Sequence, residues 1–107
     1  MDIFIINNKD KNAETRKYLI ALREIYDSNC SEYKVIECVN RNDTIQKTLY
    51  YATLDTTRYI VSIGGNITLN SIINGMFLSK KPLVVIPCGN NNDLYNDINS
   101  LSEDTKI

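Results

Sequence analysis

The sequence predicts an α/β domain with an open three-layer α/β/α architecture and a parallel sheet of about four strands. Two observations lead to this prediction. Short, almost continuous apolar runs alternate with stretches in which apolar residues recur every three or four positions. The first pattern is typical of strands buried on both faces, and the second of amphipathic helices. Strands separated by helices are usually joined into a parallel sheet by right-handed crossovers, with helices on both faces.

Four segments have the strand pattern. They are residues 2–6, 33–39, 58–63 and 82–86. The first and last are almost entirely apolar, which predicts burial on both faces. The second is rich in β-branched residues, and the third ends sharply at Gly64-Gly65.

The first helix is predicted from about Ala13 to Asp27. Its apolar stripe contains Leu19, Leu22 and Tyr26, and Ile20 and Ile25 are expected to widen it. The pair Ser28-Asn29 ends the helix.

The second helix is predicted to begin at Asn42 or Asp43, with Asp43 and Gln46 as a variant of the capping box. One face should contain Ile45, Leu49 and Ala52. The helix after the glycines has the clearest stripe, which consists of Leu69, Ile72, Ile73, Met76 and Phe77. A weak last helix is predicted from Asp93 to about Leu101, followed by a frayed tail from Ser102 to Ile107.

Composition excludes several classes of function. The chain has 107 residues, enough for one domain and too few for two, and its net charge of −1 without a strong basic cluster argues against nucleic-acid binding. It has no histidine, which removes histidine triads and histidine metal sites. Its three cysteines lack C-x-x-C spacing and indicate free thiols, most simply small buried residues. With no long apolar run and no leader pattern, a cytoplasmic protein without a transmembrane segment is expected.

Ligands of open parallel sheets bind at the carboxyl ends of the strands. Three loops should lie there, at residues 7–12, 64–68 and 87–93. The last two are richest in glycine and polar residues, and they meet only if strands three and four are neighbours. This favours a strand order of 2-1-3-4.

Each of these two loops has a functional and a structural interpretation. Gly64-Gly65 allows positive φ and close approach of a phosphate to the helix N-terminus, which Asn66 or Thr68 would cap. The structural alternative is a tight strand-to-helix connection. In the second loop, amide side chains could contact a purine or ribose, and Asp93 a metal or hydroxyl. Its structural alternative is a turn with Asp93 as helix N-cap.

The two loops together resemble motifs of the diacylglycerol and sphingosine kinase catalytic domain, whose N-terminal fold is shared with NAD kinases and phosphofructokinases. That family has a strand, the loop Gly-Gly-Asp-Gly-Thr and a helix that starts Leu-Asn-Glu and ends near Asn-Gly. Residues 63–75, Ile-Gly-Gly-Asn-Ile-Thr-Leu-Asn-Ser-Ile-Ile-Asn-Gly, follow this frame without a gap. Residues 87–93, Pro-Cys-Gly-Asn-Asn-Asn-Asp, follow the family's Pro-x-Gly-Thr-Gly-Asn-Asp, and Asn7 is similar to the start of its Asn-Pro loop.

The resemblance implies ATP with Mg²⁺ as cofactors and a nucleotide as partner. It assigns nucleotide contacts or support of the loops to Asn7, Gly64, Gly65, Asn66, Thr68, Gly89, Asn92 and Asp93. It assigns no catalytic residue and no metal ligand.

The chain also departs from the family pattern. Asn66 replaces the acidic residue of the glycine loop, Ile67 a glycine, Ser71 a glutamate and Asn8 a proline. In the second loop, Asn90-Asn91 replaces Thr-Gly. The carboxylate missing at position 66 is the one that the resemblance assigns to handling the Mg²⁺-nucleotide, because Mg²⁺ prefers anionic oxygen ligands. These departures predict a degenerate kinase site.

Two hypotheses follow. In the first, residues 1–107 are a single α/β domain, the nucleotide-binding part of a lipid-kinase-like phosphotransferase, without the β-rich second domain that would bind the lipid acceptor. This chain alone should then be inactive. In the second, a non-catalytic binding or regulatory module has kept the fold and lost the kinase chemistry. A flavodoxin-like receiver would need acidic residues after the first strand, where this chain has Asn7-Asn8.

Overall fold

The structure, a computed structural model, describes residues 1–88. Strands and helices alternate along this part of the chain: β1 Asp2–Asn7, α1 Ala13–Ser28, β2 Tyr33–Cys38, α2 Arg41–Ala52, β3 Ile60–Gly64, α3 Asn66–Gly75 and β4 Leu83–Pro87. The four strands form one parallel sheet in the order β2-β1-β3-β4. The predicted fold class and strand order are therefore confirmed. The predicted helix at 93–101 and the tail from residue 102 lie outside the described residues.

Strand β1 is the centre of the core, and all six of its residues are buried. On one face of the sheet, Ile3 and Ile5 belong to a cluster that includes residues of α2 and α3. On the other face, Phe4 and Ile6 pack with Leu19 of α1. Successive side chains of a strand point to opposite faces, so a nearly continuous apolar run supplies both halves of the core. The three-layer arrangement follows from this double burial.

Helix α1 has the predicted position but a narrower buried stripe. Leu19 is buried, and Leu22 and Tyr26 pack beside it against the sheet. Ile20 and Ile25 are more than half exposed, so the expectation that they widen the stripe is wrong. At about 100° per residue, both lie roughly a quarter turn or more from the middle of the stripe. With 16 residues α1 is the longest described helix, and none in residues 1–88 is long and apolar enough to cross a membrane.

Helix α2 starts earlier than predicted. Its N-cap is Asn40, whose side chain accepts a hydrogen bond from the Asp43 backbone N–H at 2.8 Å. The Asp43 carboxylate accepts a hydrogen bond from the backbone N–H of Val39 at 3.0 Å. Asp43 therefore stabilises the start of the helix, although the N-cap is Asn40. The prediction that the helix opens at Asn42 or Asp43 is wrong by one or two residues.

The buried face of α2 also differs from the predicted one. It consists of Thr44, Thr48 and Ala52, whereas Leu49 is 44% exposed. The reason is close packing against α3, since a Cβ on Gly75 would lie only 2.7 Å from Thr48 Cβ. Small side chains are needed at such a contact. A pattern of large apolar residues cannot identify this face.

Helix α3 ends at Gly75, so Phe77 lies beyond it and is 85% exposed, contrary to its predicted place in the helical stripe. Leu69 and Ile72 are buried as predicted, while Ile73 is 38% exposed at the margin of the stripe. Strand β4 was predicted to be buried on both faces, but its Val84 is 41% exposed. Within the described residues, β4 pairs only with β3 and is the edge of the sheet.

Strand β3 begins at Ile60, so Arg58 lies before the strand in which it was predicted to lie. Arg58 forms an ion pair with Asp2, at the end of the sheet opposite the candidate loops. Its guanidinium donates to both carboxylate oxygens of buried Asp2, at 2.9 and 2.7 Å. The Tyr26 hydroxyl donates to the same carboxylate at 2.5 Å. The hydrogen bonds from Arg58 lower the pKa of Asp2 against the effect of burial, and burial together with Asp2 raises the pKa of Tyr26 to about 12.

Replacing Arg58 should destabilise the protein in a pH-dependent way. The folded-state pKa of Asp2 is lowered, so its contribution to stability is present above the unfolded value of about 3.9 and is lost as pH falls through the folded value. Arg58→Ala should therefore lower the free energy of unfolding at pH 7, and its difference from wild type should shrink below about pH 4. Urea unfolding from pH 2 to pH 7 measures this. Arg23→Ala, at an exposed arginine of α1, is the control. A pH-independent difference for Arg58→Ala would contradict the assignment.

The three cysteines are free thiols, in two different environments. Cys38 and Cys88 are buried, and burial raises the pKa of both thiols. Cys30 is exposed, with a φ of 54° just after α1. The expectation of small buried residues therefore fails at Cys30, because it lies in the turn that ends the helix.

Native thiol titration should show this difference. One thiol, Cys30, should react quickly with a disulfide reagent, while Cys38 and Cys88 react only as the protein unfolds, because they are buried and have raised pKa values. Alkylation after denaturation without reductant should modify all three. Cys30→Ser should remove the fast phase. A fast phase of two thiols, or protection of two after denaturation, would contradict these environments.

Candidate functional site

The strand order brings the carboxyl ends of β1, β3 and β4 to one edge of the sheet. Residue Gly64 of β3 is paired with Pro87 of β4, and the Cys88 backbone N–H donates to the Gly64 carbonyl at 3.0 Å. Strand β1 is the other neighbour of β3. The predicted loops after β1 and β3 are therefore adjacent, and the third loop begins beside them. Its predicted site residues Gly89, Asn92 and Asp93 lie outside the described residues.

The most unexpected feature of this edge is the carboxylate of Asp10. Its Oδ2 atom accepts hydrogen bonds from the backbone N–H of Gly65 at 2.6 Å and of Thr68 at 3.2 Å. It also accepts one from the Thr68 hydroxyl at 2.9 Å. A single oxygen from the β1–α1 loop thus receives three donors at the start of α3.

These contacts explain how the N-terminus of α3 is satisfied. Its N-cap is Gly65, which has no side chain to cap the helix, so the prediction that Asn66 or Thr68 caps it is wrong. The unpaired N–H groups and the positive end of the helix dipole both favour a negative charge at this point. Asp10, 55 positions away from Gly65 in the sequence, supplies that charge. The start of α3 is an anion-binding site that holds an anion from its own chain.

The Asp10 carboxylate fits beside Gly64 because this residue has no side chain. Its φ is +157°, and a Cβ at this position would lie 2.6 Å from the Thr68 hydroxyl oxygen and 3.0 Å from Asp10 Oδ2. Any larger residue would push against both groups. The sequence predicted that this glycine lets a phosphate approach the backbone closely. In the structure, the group that approaches is the Asp10 carboxylate.

Asn7 holds the β1–α1 loop in place. The residue is buried, and its side-chain amide donates to the Thr44 hydroxyl at 3.1 Å. Its side-chain oxygen accepts from the Lys9 backbone N–H at 2.9 Å, and its carbonyl accepts from the Asp10 backbone N–H at 2.9 Å. The loop is thereby tied to α2 on one side and directed towards α3 on the other.

A groove of about 420 Å³ opens beside the start of α3 and is lined by Arg41, Asn66, Ile67 and Asn70. Ile67 is half exposed there. Arg41 is the first residue of α2, so the groove lies between the first turns of two helices. The loop between β2 and α2 was not among the three predicted loops.

The described residues contain no ready-made cluster of magnesium ligands. Position 66 has an amide, and the nearby Asp10 Oδ2 is already engaged by three donors. Within residues 1–88, no three groups among His, Cys, Asp and Glu lie close enough to hold a metal ion. Magnesium that accompanies a nucleotide takes most of its ligands from phosphate oxygens and water, so any Mg²⁺ here would have to arrive with the nucleotide.

Sequence reasoning missed Asp10 and Arg41. A signal for Asp10 was present, since it lies three residues after the end of a strand whose carboxyl edge was expected to bind ligands. Its target could not be predicted, because the contact depends on β1 and β3 being neighbours and on the length of the loop between β1 and α1.

A comparison with protein families finds a match over residues 2–106, almost the entire chain, to a family model described as the diacylglycerol kinase catalytic domain. No individual curated protein matches the chain.

The contact between Asp10 and Thr68 should be measurable as a coupling free energy. Thr68→Val removes the hydroxyl donor at nearly constant volume, and Asp10→Asn removes the charge. Each should lower the free energy of unfolding by about 1 kcal/mol. In the double variant the losses should fall short of additivity by roughly 0.5 kcal/mol or more, because both changes remove the same interaction.

The control for this cycle is Thr53→Val, at an exposed threonine whose hydroxyl donates to the Tyr50 carbonyl in α2. It should be additive with Asp10→Asn, because the two residues share no contact in the described structure. Full additivity between the changes at Asp10 and Thr68 would show that the hydrogen bond contributes nothing to stability.

Proposed function

We propose that this chain, which belongs to the diacylglycerol kinase catalytic domain family, is the nucleotide-binding part of a lipid-kinase-like protein. In this proposal, nucleotide phosphates bind at the start of α3, where Gly65 and Thr68 present their hydrogen-bond donors. The lipid acceptor would bind a β-rich second domain, for which these 107 residues have no room.

The single observation that supports this proposal is the convergence of three donors on one anionic oxygen. Two backbone N–H groups and a hydroxyl lie within 3.2 Å of Asp10 Oδ2. A phosphate oxygen has the same hydrogen-bonding requirements as a carboxylate oxygen, and the helix dipole favours both. The donors are therefore already oriented for an anion.

The neighbouring groove offers space for the remainder of a nucleotide. Arg41 lines it and would place a cation near a chain of phosphates, while the side-chain amides of Asn66 and Asn70 can donate to and accept from a sugar or base. The predicted contacts at Gly89, Asn92 and Asp93 belong to the same proposal.

Phosphoryl transfer by this chain alone is not expected. When bound, ATP would supply the phosphoryl group, but the chain has Asn66 where the family pattern has a carboxylate. Loss of one preoriented electrostatic contact costs enzymes about 2.7–4 kcal/mol, or 10²–10³ in rate. Absence of a bound acceptor is the larger deficit, because orientation of two reactants accounts for roughly 7–11 kcal/mol of a barrier.

A second candidate, a binding or regulatory module without kinase chemistry, is favoured by two specific observations. Asp10 lies on the donors that would bind phosphate, and Ile67 extends a β-branched side chain into the groove beside them. Both features oppose tight nucleotide binding. The two candidates differ in whether Mg²⁺-ATP reaches the start of α3 at all.

Backbone amide shifts during titration with Mg²⁺-ATP distinguish the candidates. If the proposal is right, the signals of residues 64–68 and 89–93 move, and Asn66→Asp/Ile67→Gly strengthens the binding because it restores the family's acidic residue and glycine. Asn29→Asp, the same change at the far end of α1, should have no effect. Shifts confined to the opposite sheet edge, near Ser31 or Lys80, would contradict the proposed site.

A phosphate-transfer assay with radiolabelled ATP and either diacylglycerol or sphingosine tests the second part of the proposal. Neither the wild-type chain nor Asn66→Asp/Ile67→Gly should transfer phosphate to either lipid, because the proposal places the acceptor site on a second domain. Turnover by either protein without an added partner would show that the acceptor site has been misplaced.

A further inference from the structure

The donors at the start of α3 are occupied before any ligand arrives. Asp10 Oδ2 lies 2.6 Å from the Gly65 nitrogen and 2.9 Å from the Thr68 hydroxyl oxygen. No phosphate oxygen can approach the same atoms while the carboxylate is there. The two anions would also repel each other at contact distance.

We propose that Asp10 is a built-in competitor of phosphate, so that an anion enters this site only when the Asp10 side chain leaves it. This inference rests on the proposed function and adds a regulatory device to the same site. The chain lacks the family's acidic residue at position 66, yet a carboxylate from another loop reaches the glycine loop. That carboxylate accepts hydrogen bonds from the donors of the loop and therefore occupies the position that a bound anion would take.

The loop geometry allows the side chain to move by itself. The backbone around Asp10 is fixed independently, by the bonds from Asn8 N–H to the Cys38 carbonyl at 2.8 Å and from Asp10 N–H to the Asn7 carbonyl at 2.9 Å. The Asp10 side chain spans the gap from this loop to the start of α3. Because Asp10 is partly exposed, a rotation about its side-chain bonds can transfer the carboxylate to water without unfolding the loop.

The exchange is between similar ligands. A carboxylate loses three hydrogen bonds and regains hydration when it leaves, and a phosphate oxygen gains the same three donors. A phosphate chain carries more negative charge than one carboxylate, so it can displace Asp10 when its concentration is sufficient. The site should then bind phosphates weakly in the wild-type chain and more tightly when the competing charge is removed.

The test uses the full 107-residue chain and two probes, Mg²⁺-ATP and inorganic tripolyphosphate. Dissociation constants and unfolding temperatures are measured for wild type, Asp10→Asn and Asp10→Ala. The control is Asp43→Asn, which removes a carboxylate from the first turn of α2 near the same sheet edge. Both Asp10 variants should bind tripolyphosphate about tenfold more tightly than wild type, equivalent to about 1.4 kcal/mol, although they unfold at lower temperature. Asp43→Asn should bind like wild type.

The wild-type chain provides a measurement that does not depend on a variant. Tripolyphosphate at saturation should shift the side-chain carboxyl carbon signal of Asp10 towards that of a solvated aspartate. This shift, together with tighter binding by less stable variants, is not expected of a residue that only braces the loop.

Three results would overturn the inference: unchanged or weaker binding in both Asp10 variants, equal gains in Asp43→Asn, or no binding of either probe by any variant. Other results would refute the proposed function independently of this inference. If the Asp10 variants gain affinity for tripolyphosphate while neither they nor the wild-type chain bind Mg²⁺-ATP, the competitor is real and the nucleotide assignment is wrong. If wild type and both variants bind Mg²⁺-ATP with the same affinity, and tripolyphosphate binding is likewise unchanged, the nucleotide assignment stands and the competitor is refuted.

Discussion

The carboxylate of Asp10 at the N-terminus of α3 is the interaction on which the candidate site depends. It joins the loop after β1 to the loop after β3, and both loops are adjacent only because these strands are neighbours in a parallel sheet. It supplies the negative charge that an N-terminus capped by Gly65 lacks. Its position also requires the absence of a side chain at Gly64. Two glycines therefore make this contact possible.

The position of α3 has a second constraint at its other end. There, Gly75 lies against Thr48 of α2 so closely that a Cβ would lie 2.8 Å from the Ile45 carbonyl. The same face of α2 includes Thr44, whose hydroxyl accepts the hydrogen bond from Asn7 beneath the β1–α1 loop. Helix α2 thus contacts both the far end of α3 and the loop that presents its capping carboxylate. A change in the packing of α2 should therefore alter the positions of Asp10 and of α3 through these contacts.

Much of the fold can be predicted from the sequence, because apolar runs such as that of β1 are long relative to the uncertainty of their ends. The helix stripes are less well predicted. Ile20 and Ile25 are apolar but turn away from the sheet, and the buried face of α2 uses threonines that no count of apolar residues detects. At the site, the glycine loop was recognisable from its spacing. Asp10 was not, because its role comes from a contact across 58 positions of sequence.

In this chain of the diacylglycerol kinase catalytic domain family, the start of α3 holds a carboxylate from its own chain. The amide signals of Gly65 and Thr68 test this most directly, because an N–H that donates to a carboxylate resonates downfield of one that donates to a neutral group or to water. Asp10→Asn should shift these two amide protons upfield and leave other helix N-termini, such as that of Asp43 in α2, unchanged. Unchanged shifts at Gly65 and Thr68 would contradict the contact, and with it the account of the site.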